Sequence, residues 1–225
     1  VRAGVATITL RDTGYVTAGL LVRQNFTELD IGRPKVAALA DRLRAISDHV
    51  AVLEQPGLAQ AALQNVIEAD IVIDCTVNTG VAVAIDQAQA SGALQIPVMQ
   101  VATDNDSATL GILTIASGSG ATTTSSIDSA LRHAVAADIA SHPYLPFWSR
   151  DNHPTLTPTV GCSVPTFHGA STDVMAVASQ AISLGAIAVG RGLDVGYVFA
   201  TAHSPYSVPQ LVAAHVEADV AEQYP

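Results

Sequence analysis

Asp12-Thr-Gly-Tyr-Val-Thr-Ala-Gly-Leu-Leu-Val-Arg-Gln-Asn-Phe-Thr-Glu-Leu-Asp-Ile-Gly-Arg-Pro-Lys35 is the stretch that decides the fold. It follows Val5-Ala-Thr-Ile-Thr-Leu10, a short apolar run that reads as a buried strand. An Asp just past the carboxyl end of a parallel strand is where doubly wound folds hold a nucleotide ribose. The bland alternative for Asp12 is an Asp-Thr-Gly turn that needs no ligand. Two cations follow, Arg23 and Lys35, of the kind that meets phosphates. Lys35 stands at the entrance to a helix, whose free N–H groups also favour anions.

Outward from this stretch, apolar residues alternate between strand and helix spacing. Residues 33–47 read as an amphipathic helix, with Val36, Leu39, Leu43 and Ile46 on one face and Pro34 in the first turn. A strand is expected at 49–53, a break at Pro56-Gly57, and a second helix at 58–69. Residues 71–75 are too apolar for an edge, so they are placed centrally in a parallel sheet. A helix at 81–90 and a strand at 96–101 continue the alternation. The pattern predicts an α/β fold, Rossmann-like and doubly wound, with a mostly parallel sheet and helices on both faces.

Beyond it, residues 109–115 read as a strand and 117–126 as a flexible Gly/Ser/Thr loop. Ser126 and Asp128 are expected to cap a helix running to about 140. A long loop then spans 142–169, with His142, Trp148 and His153 placed to line a groove. Ser171-Thr-Asp173 is expected to cap a helix over 174–188, followed by a strand at 195–201 and a final helix at 208–221. Residues 1–116 would form the nucleotide-binding core, and 117–225 the other half of the same domain.

Hydrophobic residues make up 49% of the 225 and charged residues only 13%, about half the usual share. Such a surface points to cover by another subunit. The net charge of −10 disfavours nucleic acid as a partner. No stretch reaches the ~20 uninterrupted apolar residues of a membrane helix, so no membrane span is expected. Of the two cysteines, Cys75 falls in a predicted core strand; a reducing, cytoplasmic setting is expected.

Arg23-Gln24 followed by Asp30-Ile-Gly-Arg-Pro-Lys-Val36 resembles the signature of the ThiF/MoeB and ubiquitin-activating family. Ala69-Asp-Ile-Val-Ile-Asp-Cys-Thr76 with Asn78 resembles the next motif in the same order. The resemblance implies an adenylyltransferase that uses ATP, with Mg2+, to activate the C-terminus of a ubiquitin-like or sulfur-carrier protein. It implies Asp12, Arg23, Gln24, Lys35, Asp74 and Asn78 as nucleotide-binding residues, with Arg23 and Lys35 offsetting phosphate charge in catalysis. Family members dimerise, so a homodimer, or a heterodimer with an activating subunit, is expected. They also carry a glycine-rich phosphate loop ahead of the matching region, expected here from residues outside this sequence or from another polypeptide.

Cys162 lies in Gly161-Cys-Ser-Val-Pro-Thr-Phe-His168, a segment that resembles one in bacterial ThiF-like proteins. A loop cysteine accepts the activated partner in ubiquitin-activating enzymes, and an imidazolium such as His168 favours the thiolate. The alternative is a small buried apolar residue. No Cys-x-x-Cys pair occurs, so no zinc is expected and no metal ligands are assigned. Val77 stands where the family has its magnesium carboxylate, Leu20 replaces an Asn, and Gly14 replaces an acid. These changes keep a second reading open, a non-catalytic subunit of an activating complex. A third, a dinucleotide-binding oxidoreductase, lacks its Gly-x-Gly-x-x-Gly fingerprint.

Overall fold

The computed structural model describes residues 5–21, 24–55, 69–76, 78–120, 122–149 and 170–216. Strands β1 (Thr7–Arg11) and β2 (Ala51–Gln55) pair in parallel, Thr7 opposite Ala51 and Arg11 opposite Gln55. Helix α1 (Lys35–Ile46) connects them and packs Ala40 and Leu43 on Ile8, Leu10, Val50 and Val52. The five other strands form a second sheet in the order β3 (Val72–Asp74), β4 (Val98–Thr103), β5 (Leu110–Ala116), β6 (Val195–Ala200), β7 (Leu211–His215). The β3–β4 pair is parallel; the three pairs after it are antiparallel. The predicted doubly wound architecture is present, and its sheet is mixed.

Side-chain alternation along β5 explains the layering. Leu113 and Ile115 face helix α4 (Ser171–Gly190) through Val177, Ala181 and Ala188, together with Met99, Tyr197 and Phe199. Leu110 and Ile112 face the other way, toward helix α3 (Thr124–Ala137), where Leu131 and Val135 meet Val198 and Ala200. Helix α2 (Thr79–Ala90) covers the β3–β4 side with Val81 and Ile85 against Val72 and Val98. Helices therefore lie on both faces. By length and composition alone α4 could span a membrane, but it packs Val177, Ala181 and Ala188 on the sheet.

Several sequence expectations need correction. Strand β1 is half-exposed rather than buried, because among the described residues it has one neighbour, β2. Strand β3 lies at the edge of the five-stranded sheet rather than at its centre, and Ile73 is 44% exposed. In α1, Leu39 and Ile46 face outward, and the buried stripe is Val36, Ala38 and Ala40. Thr123, not Ser126 or Asp128, caps α3: its side chain accepts from the Ser126 N–H, and Ser126 Oγ accepts from the Thr123 N–H at 3.1 Å. The loop expected from 142 begins instead within a 3-10 helix, Ile139–Trp148, anchored by the fully buried Tyr144, whose hydroxyl donates to the Pro209 carbonyl at 2.6 Å. Residues 211–215, expected in a helix, form β7. Ladder pairing with β6 outweighs the helix preference of Leu-Val-Ala-Ala-His. The helix expected at 58–69 and most of the 142–169 loop fall outside the described residues.

Candidate functional site

The chain leaves β1 at Arg11, and Asp12 is the first residue past its carboxyl end. One Asp12 oxygen accepts the Gly14 N–H at 2.6 Å, closing a tight turn. The following residues zip onto the segment before α1. Val16 N–H donates to the Arg33 carbonyl at 2.8 Å, Gly32 N–H to the Val16 carbonyl at 2.9 Å, and Lys35 N–H to the Gly14 carbonyl at 2.9 Å. Gly32 adopts φ +84°, a conformation that favours glycine. This zipper returns Lys35 to Asp12 across the intervening loop, with Nζ 3.8 Å from the second Asp12 oxygen. The Lys35 side chain is 11% exposed, so its cation is held rather than free to wander.

The described part of the loop between them is held by its own contacts. Leu20 is fully buried, the environment that replaces the family's Asn at this position. Asp30 is buried and accepts from the Thr27 N–H and hydroxyl, both at 2.8 Å, from Arg42 at 2.7 Å and from Arg33 at 3.3 Å. The Thr27 bonds foremost, with Arg42 adding, hold its carboxyl below the usual carboxylate range. Arg42 also stacks over Phe26 at 5.7 Å. Asp30 thus fixes the loop geometry that delivers Lys35. Gln24 takes part through its backbone, its N–H donating to the Leu20 carbonyl at 2.8 Å.

Gly14 lies close against this pair. A Cβ there would sit 3.0 Å from an Asp12 oxygen and 3.1 Å from Lys35 Cε. The turn thus sets a carboxylate and a cation side by side where the strand ends and the helix begins.

The second motif builds a different wall. Asp74 ends β3, is buried, and accepts from the Thr76 N–H at 2.9 Å, the Thr76 hydroxyl at 2.7 Å and Gln100 Nε2 at 3.3 Å. Asn78 is the α2 N-cap, its Oδ1 accepting from Gly80 N–H at 2.9 Å and Val81 N–H at 3.2 Å. Both line a cavity of about 780 Å³, whose lining residues do not include Asp12 or Lys35. Cys75 lies just past β3 rather than in a core strand. It is exposed at the surface of the fold, yet desolvation and then the Asp74 carboxylate push its thiol up to about 11. It is therefore a thiol at neutral pH. Arg23, Val77 and Cys162, with His153 and His168, lie outside the described residues.

The described residues offer a magnesium ion few free oxygens. Among the described residues no three His, Cys, Asp or Glu side chains are grouped so that they could hold a metal ion. Asp74, the nearest carboxylate in the motif, already serves three protein donors. A hard cation requires several free oxygens.

The ThiF family profile matches residues 1–188. The chain belongs to the ThiF family. No curated protein matches it in sequence. Among solved structures, selenomethionine PaaA is similar at 15% identity and TM-score 0.59, covering 95% of this chain and 65% of that one. E. coli MccB with ATP is similar at 12% identity and TM-score 0.57, covering 95% of this chain and 57% of that one. E. coli MccB with AMPCPP and MccA gives 13% identity and TM-score 0.58 at the same coverage. At these identities the likeness shows the ThiF-like fold. The chain spans less than two thirds of the length of these structures.

Sequence reading missed Gln100, Thr114 and Asp128 of the cavity. A signal was present. Val98-Met-Gln-Val-Ala-Thr103 and Leu110-Gly-Ile-Leu-Thr-Ile-Ala116 are apolar strands broken by a polar residue, and Gln100 and Thr114 pair directly in the ladder.

Proposed function

We propose that this ThiF family member is an adenylyltransferase that activates the C-terminal carboxylate of a ubiquitin-like or sulfur-carrier protein. The observation that carries the reading is the Asp12–Lys35 pair, 3.8 Å apart where a parallel strand ends and a helix begins, with Gly14 close against both side chains. Asp12 would accept from the ribose hydroxyls, and Lys35 would meet the phosphates. In the reaction a carboxylate oxygen of the carrier bonds to the α-phosphorus of ATP. The bond from that phosphorus to its bridging oxygen breaks, and pyrophosphate leaves with the electron pair. Lys35 offsets the charge that gathers on the phosphoryl oxygens. Arg23 is assigned the same task and Cys162 the role of acyl acceptor, on the motif match alone. MccB, solved with ATP and with AMPCPP and MccA, lends support for nucleotide and partner alike. A homodimer, or a heterodimer with an activating subunit, in the cytoplasm belongs to the same proposal.

A second reading, a non-catalytic subunit of an activating complex, is favoured by one observation: Asp74 accepts from Thr76 and Gln100, which leaves fewer free oxygens for a hard cation. Exchange of labelled pyrophosphate into ATP, measured with a peptide ending in a free glycine carboxylate, separates the two. Exchange that depends on the peptide and falls in the Lys35→Met variant supports the enzyme. Nucleotide binding without exchange supports the subunit.

A further inference from the structure

The cavity reached from Asp74 differs in chemistry from the Asp12–Lys35 cradle. Its floor is the face of the sheet on which Asp74, Gln100 and Thr114 stand in register across β3, β4 and β5. The next row, Ala102 and Ile112, is apolar. Phe147 and Trp148, edge to face with ring centres 6.3 Å apart, form a wall with Pro143 and Pro146. Among the described residues the lining holds four carboxylates, Asp74, Asp104, Asp106 and Asp128, and no Lys or Arg.

Two of these acids are built into the wall. Asp104 accepts from Ser107 N–H at 2.7 Å, Ser107 Oγ at 3.0 Å and Leu110 N–H at 2.8 Å. Both Asp128 oxygens accept from Trp148 Nε1, at 2.9 and 3.0 Å. Burial pushes the Asp128 carboxyl up, and the Trp148 bond and the nearby Arg132 pull it only partly back. Arg132 lies near Asp128 but is not among the lining residues, which hold carboxylates without a cation beside them. One feature favours an anion, the amino end of α2, but Asn78 already caps it.

An independent observation points to a ligand. Thr114 is 3% exposed, its Oγ1 has no hydrogen-bond partner, and strand alternation aims it at the cavity side with Leu110 and Ile112. A buried hydroxyl left unpaired costs free energy that a ligand donor or acceptor recovers.

We propose that this cavity binds an organic cation, an ammonium or guanidinium whose stem lies along Phe147 and Trp148 while its head meets Asp74 and the Thr114 hydroxyl. Aromatic faces and desolvated carboxylates are the surroundings such cations prefer. The volume, about 780 Å³, suits a small molecule or an inserted side chain. Both a free amine and the basic side chain of a peptide present this chemistry. The inference holds or fails without ATP, so its failure is distinct from failure of the adenylyltransferase reading.

Trp148 is the one tryptophan in the chain, so its emission reports on the cavity directly. Titration of the full chain with agmatine, and with an arginine-containing pentapeptide blocked at both ends, should give a saturable change. The uncharged analogue 1-butanol and acetate should give none. Asp74→Asn should weaken agmatine about ten- to a hundredfold, the range for losing one charge-assisted bond. Thr114→Val, the same shape without the hydroxyl, gives a second variant that keeps the fold. A peptide that binds at least tenfold tighter than agmatine assigns the cation to a peptide side chain; equal binding assigns it to a small amine. No saturable response, or an equal one with 1-butanol, overturns the proposal.

Discussion

Thr114→Val is a substitution in which the structure predicts a gain of stability. The Thr114 hydroxyl is shielded from solvent and has no partner, although its strand is buried throughout. Leaving such a group unpaired costs about 1–3 kcal/mol. Valine has nearly the same volume and an equal or better strand preference, so replacement should return about 1–2 kcal/mol. For a chain of this size that is a rise in Tm of roughly 2–8 °C. Thr124→Val is the matching control. Thr124 is as buried, but its hydroxyl donates to Asp86 at 2.9 Å. Losing a bond to a carboxylate should cost about 1.5–3 kcal/mol. Chemical denaturation of both variants beside the parent protein measures the pair. An unchanged or lower stability in Thr114→Val refutes the reasoning, because the hydroxyl would then already have a partner.

Other consequences follow from the same packing and charges. Gly111→Ala would place a Cβ 2.3 Å from Phe199 Cζ and 2.9 Å from Val177 Cγ1, so denaturation should show a loss of about 1–3 kcal/mol from overpacking. The Asp30 carboxyl is held low by Thr27 and Arg42, so its contribution is full above the unfolded value of about 4 and is lost as pH falls through the lower folded value. Urea midpoints across pH 2–7 should therefore drop on the acid side in the parent and flatten in Asp30→Asn. Gly14→Ala crowds Lys35 Cε to 3.1 Å and should weaken nucleotide binding about tenfold in a direct titration, with little change in Tm.

The parts of the fold legible in sequence were those with strong local signals. Pro34 and the periodic residues after it mark α1, and the apolar run around Gly111 marks β5. The places of Asp12 past a strand end and of Lys35 at a helix start were legible too, whereas their 3.8 Å contact was not. What was not legible depends on partners far along the chain. Leu211–His215 has the composition of a helix and becomes a strand because β6 offers an open edge. Asp128 looked like a helix cap and instead holds Trp148, twenty residues away, an interaction that only the turn of the 3-10 helix creates. Asp74, for which the resemblance implies nucleotide binding, also accepts from Thr76 and from Gln100 on the neighbouring strand, and the Gln100 contact depends on a pairing that no local pattern announces.

The central claim is that Asp12 and Lys35 form a nucleotide cradle, and calorimetric titration of the full chain with ATP tests it most directly. Saturable binding is predicted, weakened in Lys35→Met by about ten- to a hundredfold, the effect of removing one charged hydrogen bond. The variant itself should stay folded, since the Lys35–Asp12 contact is long and Asp12 is 45% exposed. Absent binding, or equal affinity in a folded Lys35→Met protein, would contradict the account.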